Sequence, residues 1–165
     1  MAFFSITRND ISPALSRLAA TAKNPTAVLR AMGTTFKSIT EGNFSSFGAQ
    51  YRPKPWPPLK DPEGKPSILQ KSTTLAKAFH LEVTAQAATL SNPMPYAGIH
   101  QFGGVIRAKA GKTLSWVNSK GDRVFAKMVT IPARPFYPVL NGKLTPKAEE
   151  KVGNAARRVI ERQAA

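Results

Sequence analysis

The sequence contains no cysteine, which excludes disulfides, thiolate metal sites and cysteine nucleophiles. Histidine is nearly as scarce, since His80 and His100 are the two present. A zinc site would need both of them together with carboxylates, and His80 is predicted to lie on a strand far from any aspartate cluster. We therefore predict neither a metal site nor a cofactor.

Acidic residues are also few, because nine Asp and Glu stand against 24 Lys and Arg. A hydrolase built on His100 would need a carboxylate to orient the imidazole. No acid lies between Glu82 and Asp122, so this carboxylate would have to come from a distant part of the chain. We therefore predict that the protein is not an enzyme. A small hydrolase that uses His100 is kept as an alternative, ranked behind the structural and DNA-binding hypotheses given below.

The resulting net charge of +15 attracts polyanions, either DNA or an acidic protein surface. The region from Thr84 to Gly121 has no acid, and the cations in it and just after it are Arg107, Lys109, Lys112, Lys120 and Arg123. Aromatic residues are not interleaved with these cations as in a platform that stacks single-stranded bases. Any contact with DNA should therefore be with backbone phosphate and independent of sequence.

Long apolar runs are absent as well. No window approaches the roughly 18 apolar residues that span a bilayer. The start of the chain has no basic region ahead of its short apolar run, which Arg8 and Asp10 interrupt, so it is not a signal peptide. We expect a soluble protein with no membrane partner.

The length of 165 residues suits one domain, and strands and helices occur in blocks rather than in alternation. This pattern predicts an α+β fold in which a small antiparallel sheet with a hairpin arm is packed by N-terminal helices and a C-terminal helix. The expected parts are a helical hairpin (1–40), a proline-rich extended loop (41–66), an α+β core (67–140) and the C-terminal helix (145–165).

Three pairs, Ser12-Pro13, Asn24-Pro25 and Thr145-Pro146, combine a capping residue with a proline suited to the first helical position. They predict helices to about Ala22, to about Thr40 and through the C-terminus. The first two helices could serve as an oligomer contact or simply pack the core.

The stretch from Glu41 to Pro66 has six prolines from Pro53 onward and is longer than an ordinary loop. Trp56 argues against disorder, since a large aromatic residue needs somewhere to dock. It could cover the domain's own core. We expect the segment to be extended and packed on a neighbouring subunit or partner in the assembled state.

Period-two alternation predicts a strand over Phe79–Val83 that turns near Ala85 and pairs with Ala88–Leu90. A second hairpin is expected from residues 113–117 and 123–130, closed by a turn at 118–122. Its tip carries Lys120 and Arg123, which suits an arm that reaches another subunit.

Two motifs organise the chain, Tyr96–Gly104 and Ile131–Phe136. The first predicts one tight helical turn with Tyr96, Ile99 and His100 on a shared face, stopped by Gly103 and Gly104. The second is held extended by prolines.

We expect these two motifs to pack together. Phe136 should cover the face formed by Tyr96 and Ile99, and Arg134 should point at the carbonyls that end the helical turn. His100 and Gln101 should make structural hydrogen bonds near this edge.

The pair Tyr96-Ala-x-Ile-His-Gln-Phe-Gly-Gly104 and Ile131-Pro-Ala-Arg-Pro-Phe136 resembles the virion morphogenesis, or tail-completion, family of Mu-type tailed phages. Weaker matches precede it at Trp56-Pro-Pro-Leu59 and at Ile68-Leu69 with Leu75. The likeness covers roughly residues 49–140. One departure is that the family usually has Thr-Gly-x-Leu where this chain has Thr73-Thr-Leu75, so the local turn is expected to differ.

The resemblance implies a structural protein of the virion neck or tail end, without enzymatic chemistry, that is made in the host cytoplasm. It would form a ring of identical subunits, with a hexamer expected, that completes the tail and joins it to the head through neighbouring neck, connector and tail-tube proteins. The alternative is a sequence-nonspecific DNA-binding protein, and the five cations above could face DNA or a partner. The residues expected to carry the structural and assembly role are Trp56, Tyr96, Ile99, His100, Gln101, Phe102, Gly103, Gly104, Arg134, Pro135 and Phe136.

Overall fold

The computed structural model describes residues 11–45, 48–59, 68–70, 73–118 and 120–164. Predictions that concern residues 1–10, most of the second half of the proline-rich segment (60–66) and residue 119 in the hairpin turn fall outside these ranges. The helices of the described part are α1 (Ile11–Lys23), α2 (Thr26–Gly42), α3 (Thr74–Lys77), α4 (Ala97–Phe102) and α5 (Pro146–Ala164), with a 3₁₀ turn at Ala49–Tyr51.

The strands form four separate two-stranded antiparallel ladders within the described residues. The pairs are β1 (His80–Val83) with β2 (Ala88–Ser91), β3 (Gly104–Arg107) with β6 (Met128–Ile131), β4 (Leu114–Val117) with β5 (Arg123–Ala126), and β7 (Val139–Leu140) with β8 (Lys143–Leu144). The predicted α+β class is confirmed. The sheet, however, is divided into short ladders because the chain crosses from one pair to the next at turns and at the proline-rich edge.

The second predicted hairpin differs from the structure at its return strand. Residues 123–130 were expected to form one strand, but the strand breaks at Lys127. β5 pairs with β4, whereas β6 pairs with β3 in the register Gly104 to Ile131. The two ladders in series form an arm, residues 104–131, whose base is β3–β6 and whose tip is β4–β5.

The helical layer consists of α5 packed on both N-terminal helices, and α2 also contacts β1 and β2. A Cβ at Gly33 would stand 2.8 Å from a methyl carbon of Leu81, so glycine permits α2 to approach this ladder closely. Ile39, Ala148 and Val152 form a small core between α2 and α5. Apolar residues at helical spacing on each helix account for this layer.

The main core is aromatic, and it brings together residues from five separate parts of the chain: Phe44, Trp56, Leu75, Phe79, Ala97 and Phe136. The Phe44 ring centroid lies 5.7 Å from that of Trp56 and 5.4 Å from that of Phe136. Offset and edge contacts at such distances add to the burial of apolar surface.

The proline-rich segment differs from the prediction in its first residues, and the structure gives the position of Trp56. In its described part, Glu41 and Gly42 belong to α2, and Trp56 is buried in the core of its own chain. Trp56 therefore covers the core of its own domain, which is the alternative that the sequence left open, and packing of the segment on a neighbouring subunit stays a prediction. The short 3₁₀ turn also means that the segment is not extended throughout.

Candidate assembly site

The stretch from residue 132 to residue 138, called here the central segment, joins β6 to β7 without regular secondary structure. Four of its residues are nevertheless buried: Arg134, Pro135, Phe136 and Pro138. Buried backbone groups require hydrogen-bond partners. Here those partners come from distant parts of the chain, so the central segment fastens the motifs to one another.

Gln101 on α4 is the main partner. Its side-chain Oε1 accepts from the backbone N–H groups of Phe136, at 2.9 Å, and Tyr137, at 3.1 Å. The backbone N–H of Arg134 donates to the carbonyl of His100 at 2.7 Å. The predicted packing of the two motifs, with structural hydrogen bonds from His100 and Gln101, is therefore present in the structure.

The faces in contact differ from the prediction. The buried residues of α4 are Ala97 and Gln101, and Phe136 packs on Phe44 and Phe79. Tyr96 is 38% exposed, so Phe136 does not cover it. The buried face of α4 is one residue out of phase with the expected face, because the chain satisfies two backbone N–H groups through the Gln101 amide.

Arg134 also departs from the prediction. Its backbone, not its side chain, caps the carbonyl at the end of α4. The guanidinium instead donates to the carbonyls of Pro57, at 3.2 Å from Nε, and Pro58, at 3.1 Å from Nη2. A planar guanidinium suits such two-point binding, and burial lowers its pKa.

Trp56 completes the attachment of the proline-rich segment, because its indole N–H donates to the carbonyl of Pro135 at 2.8 Å. The Arg52 guanidinium carbon lies 3.8 Å from the centroid of the Trp56 ring, and its Nε donates to the Asn43 carbonyl at 2.7 Å. Two adjacent stretches of the chain, residues 52–58 and 134–135, are thus joined by hydrogen bonds in both directions.

Asn43 and Arg52 are site residues that the sequence analysis missed. Asn43 is fully buried and its Nδ2 donates to the carbonyl of Phe136 at 2.7 Å. The available signal was its place directly after α2, although its backbone is right-handed (φ −62°) and not the left-handed cap that favours asparagine. That signal indicates the end of a helix and contains no information about burial.

Gly103 and Gly104 connect the site to the arm. Gly103 has φ +73°, and a Cβ there would lie 2.8 Å from the backbone nitrogen of Ala133. Glycine is therefore required for the conformation that stops the helical turn, as the sequence predicted, and also for the close approach. Gly104 begins β3, so the arm starts and ends at the central segment.

His100 is half-buried, and its Nδ1 has no hydrogen-bond partner within the described residues. Burial, and then the charge of Arg134, lower the pKa of this imidazole. The Tyr96 ring packs edge-on against it at 6.0 Å between centroids. The lowered pKa favours the neutral imidazole, which packs against the Tyr96 ring.

The arm exposes an unusual amount of apolar surface. Phe125 and Val117 are each 60% exposed, and they lie on the same face of the β4–β5 ladder. Trp116 is exposed on the opposite face. Phe102, just before the arm, is the most exposed large apolar residue of the described chain, at 80%. A two-stranded ladder with apolar residues on both faces is marginally stable by itself.

The predicted cations also lie on the arm. Arg107 is on β3, Lys109 and Lys112 are in the loop to β4, and Lys120 and Arg123 are at the tip, all of them exposed. The arm therefore combines apolar side chains with positive charge.

The described residues contain no group of three or more metal-ligating side chains. No helix among them is both long and apolar enough to cross a membrane.

Two comparisons identify relatives of the chain. The model of the phage virion morphogenesis family matches residues 6–161. The chain is also 32% identical over 143 residues to Mu-like prophage FluMu G protein 2 of Haemophilus influenzae. The aligned stretch covers 87% of this chain and 83% of that protein. No solved structure matches it significantly. The family match includes every part of the chain that the central segment joins.

Proposed function

The chain belongs to the phage virion morphogenesis family, and we propose that it acts at the neck or tail end of the virion. In this proposal identical subunits form a ring, with a hexamer expected, which completes the tail and joins it to the head. The role requires binding surfaces and no catalytic group. The neighbours would be neck, connector and tail-tube proteins.

The proposal is supported by the apolar side chains that the arm exposes. Phe125 and Val117 are 60% exposed on one face of its tip, and Trp116 is 42% exposed on the other. Burying such a side chain contributes roughly 1.5–3 kcal/mol. A neighbouring copy that covers both faces would supply the packing that an isolated two-stranded ladder lacks. Successive contacts of this head-to-tail kind generate a ring when the rotation closes.

The rest of the structure explains how the arm is held. Both strands of the arm base run directly into the central segment region, where Gly103 lies against Ala133 and the backbone of Arg134 is bonded to His100. Buried hydrogen bonds of this kind limit movement. The central segment would therefore hold the base of the arm rigidly, and its polar contacts would position the arm for assembly.

The first test changes the arm tip and measures oligomer size. Val117→Ser with Phe125→Ser should convert the oligomer to monomer in sedimentation velocity, with unchanged circular dichroism. Leu15→Ser is the matched control, because Leu15 is 59% exposed on α1, outside the arm. Wild-type protein that is monomeric both alone and in virions would refute the ring.

The second test concerns the position in the virion. Particles assembled without this protein should appear in electron micrographs as heads beside unjoined tails. Complementation with the Val117→Ser, Phe125→Ser variant should leave the same defect, whereas Leu15→Ser should restore joining. Normal particles without the protein would eliminate the proposed role.

A further inference from the structure

A groove of about 770 Å³ lies between α2 and α5, on the helical layer and away from the central segment. Its apolar lining is made by Ala27 and Ala31 of α2 and by Ala155 and Val159 of α5. Small side chains at these positions leave the space between the two helices open. The bottom of the groove, called here the floor, is therefore apolar, and the spacing of α2 and α5 sets its width.

The charged lining is entirely positive. Arg30 comes from α2, and Arg158 and Arg162, one helical turn apart, come from α5. No acidic residue lines the groove. Within the described part of the chain these three guanidinium groups have neither an ion-pair nor a hydrogen-bond partner. Three exposed cations without counter-charges favour an anionic ligand.

The positive surface continues along α5. A second depression shares Arg158 and is lined by Lys147 and Lys151, with Glu150 as its acid. Lys147, Lys151, Arg158 and Arg162 are spaced so that they share one stripe of the helix. The stripe extends over more than three turns, which is the length of a docked helix rather than of a small anion.

A ligand of this groove must match both its apolar floor and the three arginines that line it. Duplex DNA presents phosphates but no apolar surface that could fill the floor. An amphipathic helix supplies both, because its apolar face can occupy a groove while its carboxylates pair with guanidinium groups. We propose that the α2–α5 groove binds an acidic amphipathic helix of another virion protein.

The sequence of this chain contains no stretch that is acidic enough to match the groove. Its nine acids include one adjacent pair, Glu149-Glu150, which belongs to α5 itself. Residues 1–10 carry one base and one acid, Arg8 and Asp10, and so do not match three arginines. A second copy would bring another net charge of +15 to a positive groove. The occupant is therefore a different, acidic protein, and its being a virion protein rests on the function proposed above.

The test uses a fluorescein-labelled helical peptide of Glu, Leu and Ala, with leucines on one face and glutamates on the other. Its control has the same composition scrambled, so that charge is kept and the apolar face is lost. Fluorescence anisotropy at physiological ionic strength should show about tenfold or greater preference for the amphipathic peptide. Equal binding of the two peptides would refute the groove, because it would show attraction by net charge alone.

Two variants of the full chain locate the binding. Arg30→Gln with Arg158→Gln should weaken the amphipathic peptide about tenfold or more. Ala27→Trp, at an exposed position of α2, should also weaken peptide binding, because the indole would fill the apolar part of the groove without changing the charge. Lys109→Gln with Lys112→Gln removes the same charge from the arm and should leave the affinity within about twofold. Circular dichroism establishes that each variant is folded.

The remaining outcomes decide against other occupants or against the proposal. If duplex DNA competes with the peptide and loses affinity in the same Arg30 and Arg158 variant, the groove is a nucleic-acid surface and the proposal is wrong. If Phe3→Ser with Phe4→Ser increases peptide affinity, the chain's own N-terminus is the occupant, which also overturns it. The Val117→Ser, Phe125→Ser variant should still bind the peptide, so failure of the ring and failure of the groove are distinguishable.

Discussion

Gln101 and Phe136, which lie 35 residues apart in sequence, are joined by a hydrogen bond of 2.9 Å from the Phe136 backbone N–H to the Gln101 Oε1. The same oxygen accepts from Tyr137, and the carbonyl of Phe136 accepts from Asn43. One side chain thus satisfies two buried donors at the point where helix, arm and proline-rich segment meet. This contact fixes the geometry from which the arm projects.

We predict that Gln101→Ala lowers the free energy of unfolding by roughly 2–5 kcal/mol, because two backbone N–H groups would be left without an acceptor. Denaturant unfolding followed by tryptophan fluorescence measures the change. Gln86→Ala, at an exposed turn, is the control and should have an effect within about 0.5 kcal/mol. A Gln101 variant as stable as this control would show that the two donors find other partners.

Arg134→Lys should destabilise the protein by about 1–3 kcal/mol and loosen the proline-rich segment. A lysine ammonium lacks the planar fork that reaches the carbonyls of both Pro57 and Pro58. Limited proteolysis should show faster cleavage near Lys54 in the variant. The control is Arg107→Lys, the same substitution at an exposed position of the arm, and it should not change the cleavage rate. Equal cleavage rates for the two variants would contradict the role of Arg134.

Thr73→Gly should stabilise the protein by roughly 0.5–1 kcal/mol. Thr73 has φ +54° and ψ −4°, a left-handed conformation that is strained for a β-branched residue, and its side chain makes no capping hydrogen bond. Thermal unfolding should show a higher Tm for Thr73→Gly, whereas Thr89→Gly in β2 should lower it. A lower Tm for both would mean that the Thr73 side chain contributes more than its strain costs.

The stability of the protein should fall as the pH drops below 6.5. The pKa of His100 is lowered from 6.5 by burial and then by Arg134, so the folded state favours the neutral imidazole. The unfolded chain binds the proton more readily, hence stability is full above pH 6.5 and is lost as the pH falls toward the lowered pKa. Denaturant unfolding above and below pH 6.5 measures the loss.

His100→Gln should flatten this pH dependence, and His80→Gln, on an exposed strand position, should not. The difference between the two variants isolates the contribution of His100. A wild-type profile retained by His100→Gln would assign the pH dependence elsewhere.

The cations of the arm should contribute to assembly through their charge. Lys109→Glu, Lys112→Glu and Lys120→Glu together should reduce the yield of joined particles without lowering Tm, because all three side chains are exposed. Affinity for duplex DNA, measured as a function of salt, shows whether phosphate is the counter-charge. Full infectivity of the triple variant would leave these lysines without a role in assembly.

The starts of the long helices and the end of α4 follow from local features that the sequence contains directly. Pro13, Pro25 and Pro146 lie at or close to the starts of the long helices, and Gly103 ends α4. Alternation over residues 80–83 determines which side chains of β1 face inward. These features act within a few residues, since capping, φ preference and periodicity depend on near neighbours.

The partners of the central segment were decided only by the tertiary structure. Gln101 was expected to bond near this edge, but whether Tyr96 or Gln101 would lie on the buried face depends on where Asn43 and Phe44 arrive from α2. Arg134 could have reached either the end of α4 or the carbonyls of the proline-rich segment, because a guanidinium binds any unpaired carbonyl. Among the described residues, nearly all buried side-chain donors and acceptors are paired, with Asn43 Oδ1 and His100 Nδ1 as exceptions. Pairing so many groups at once involves the whole chain rather than any stretch of it.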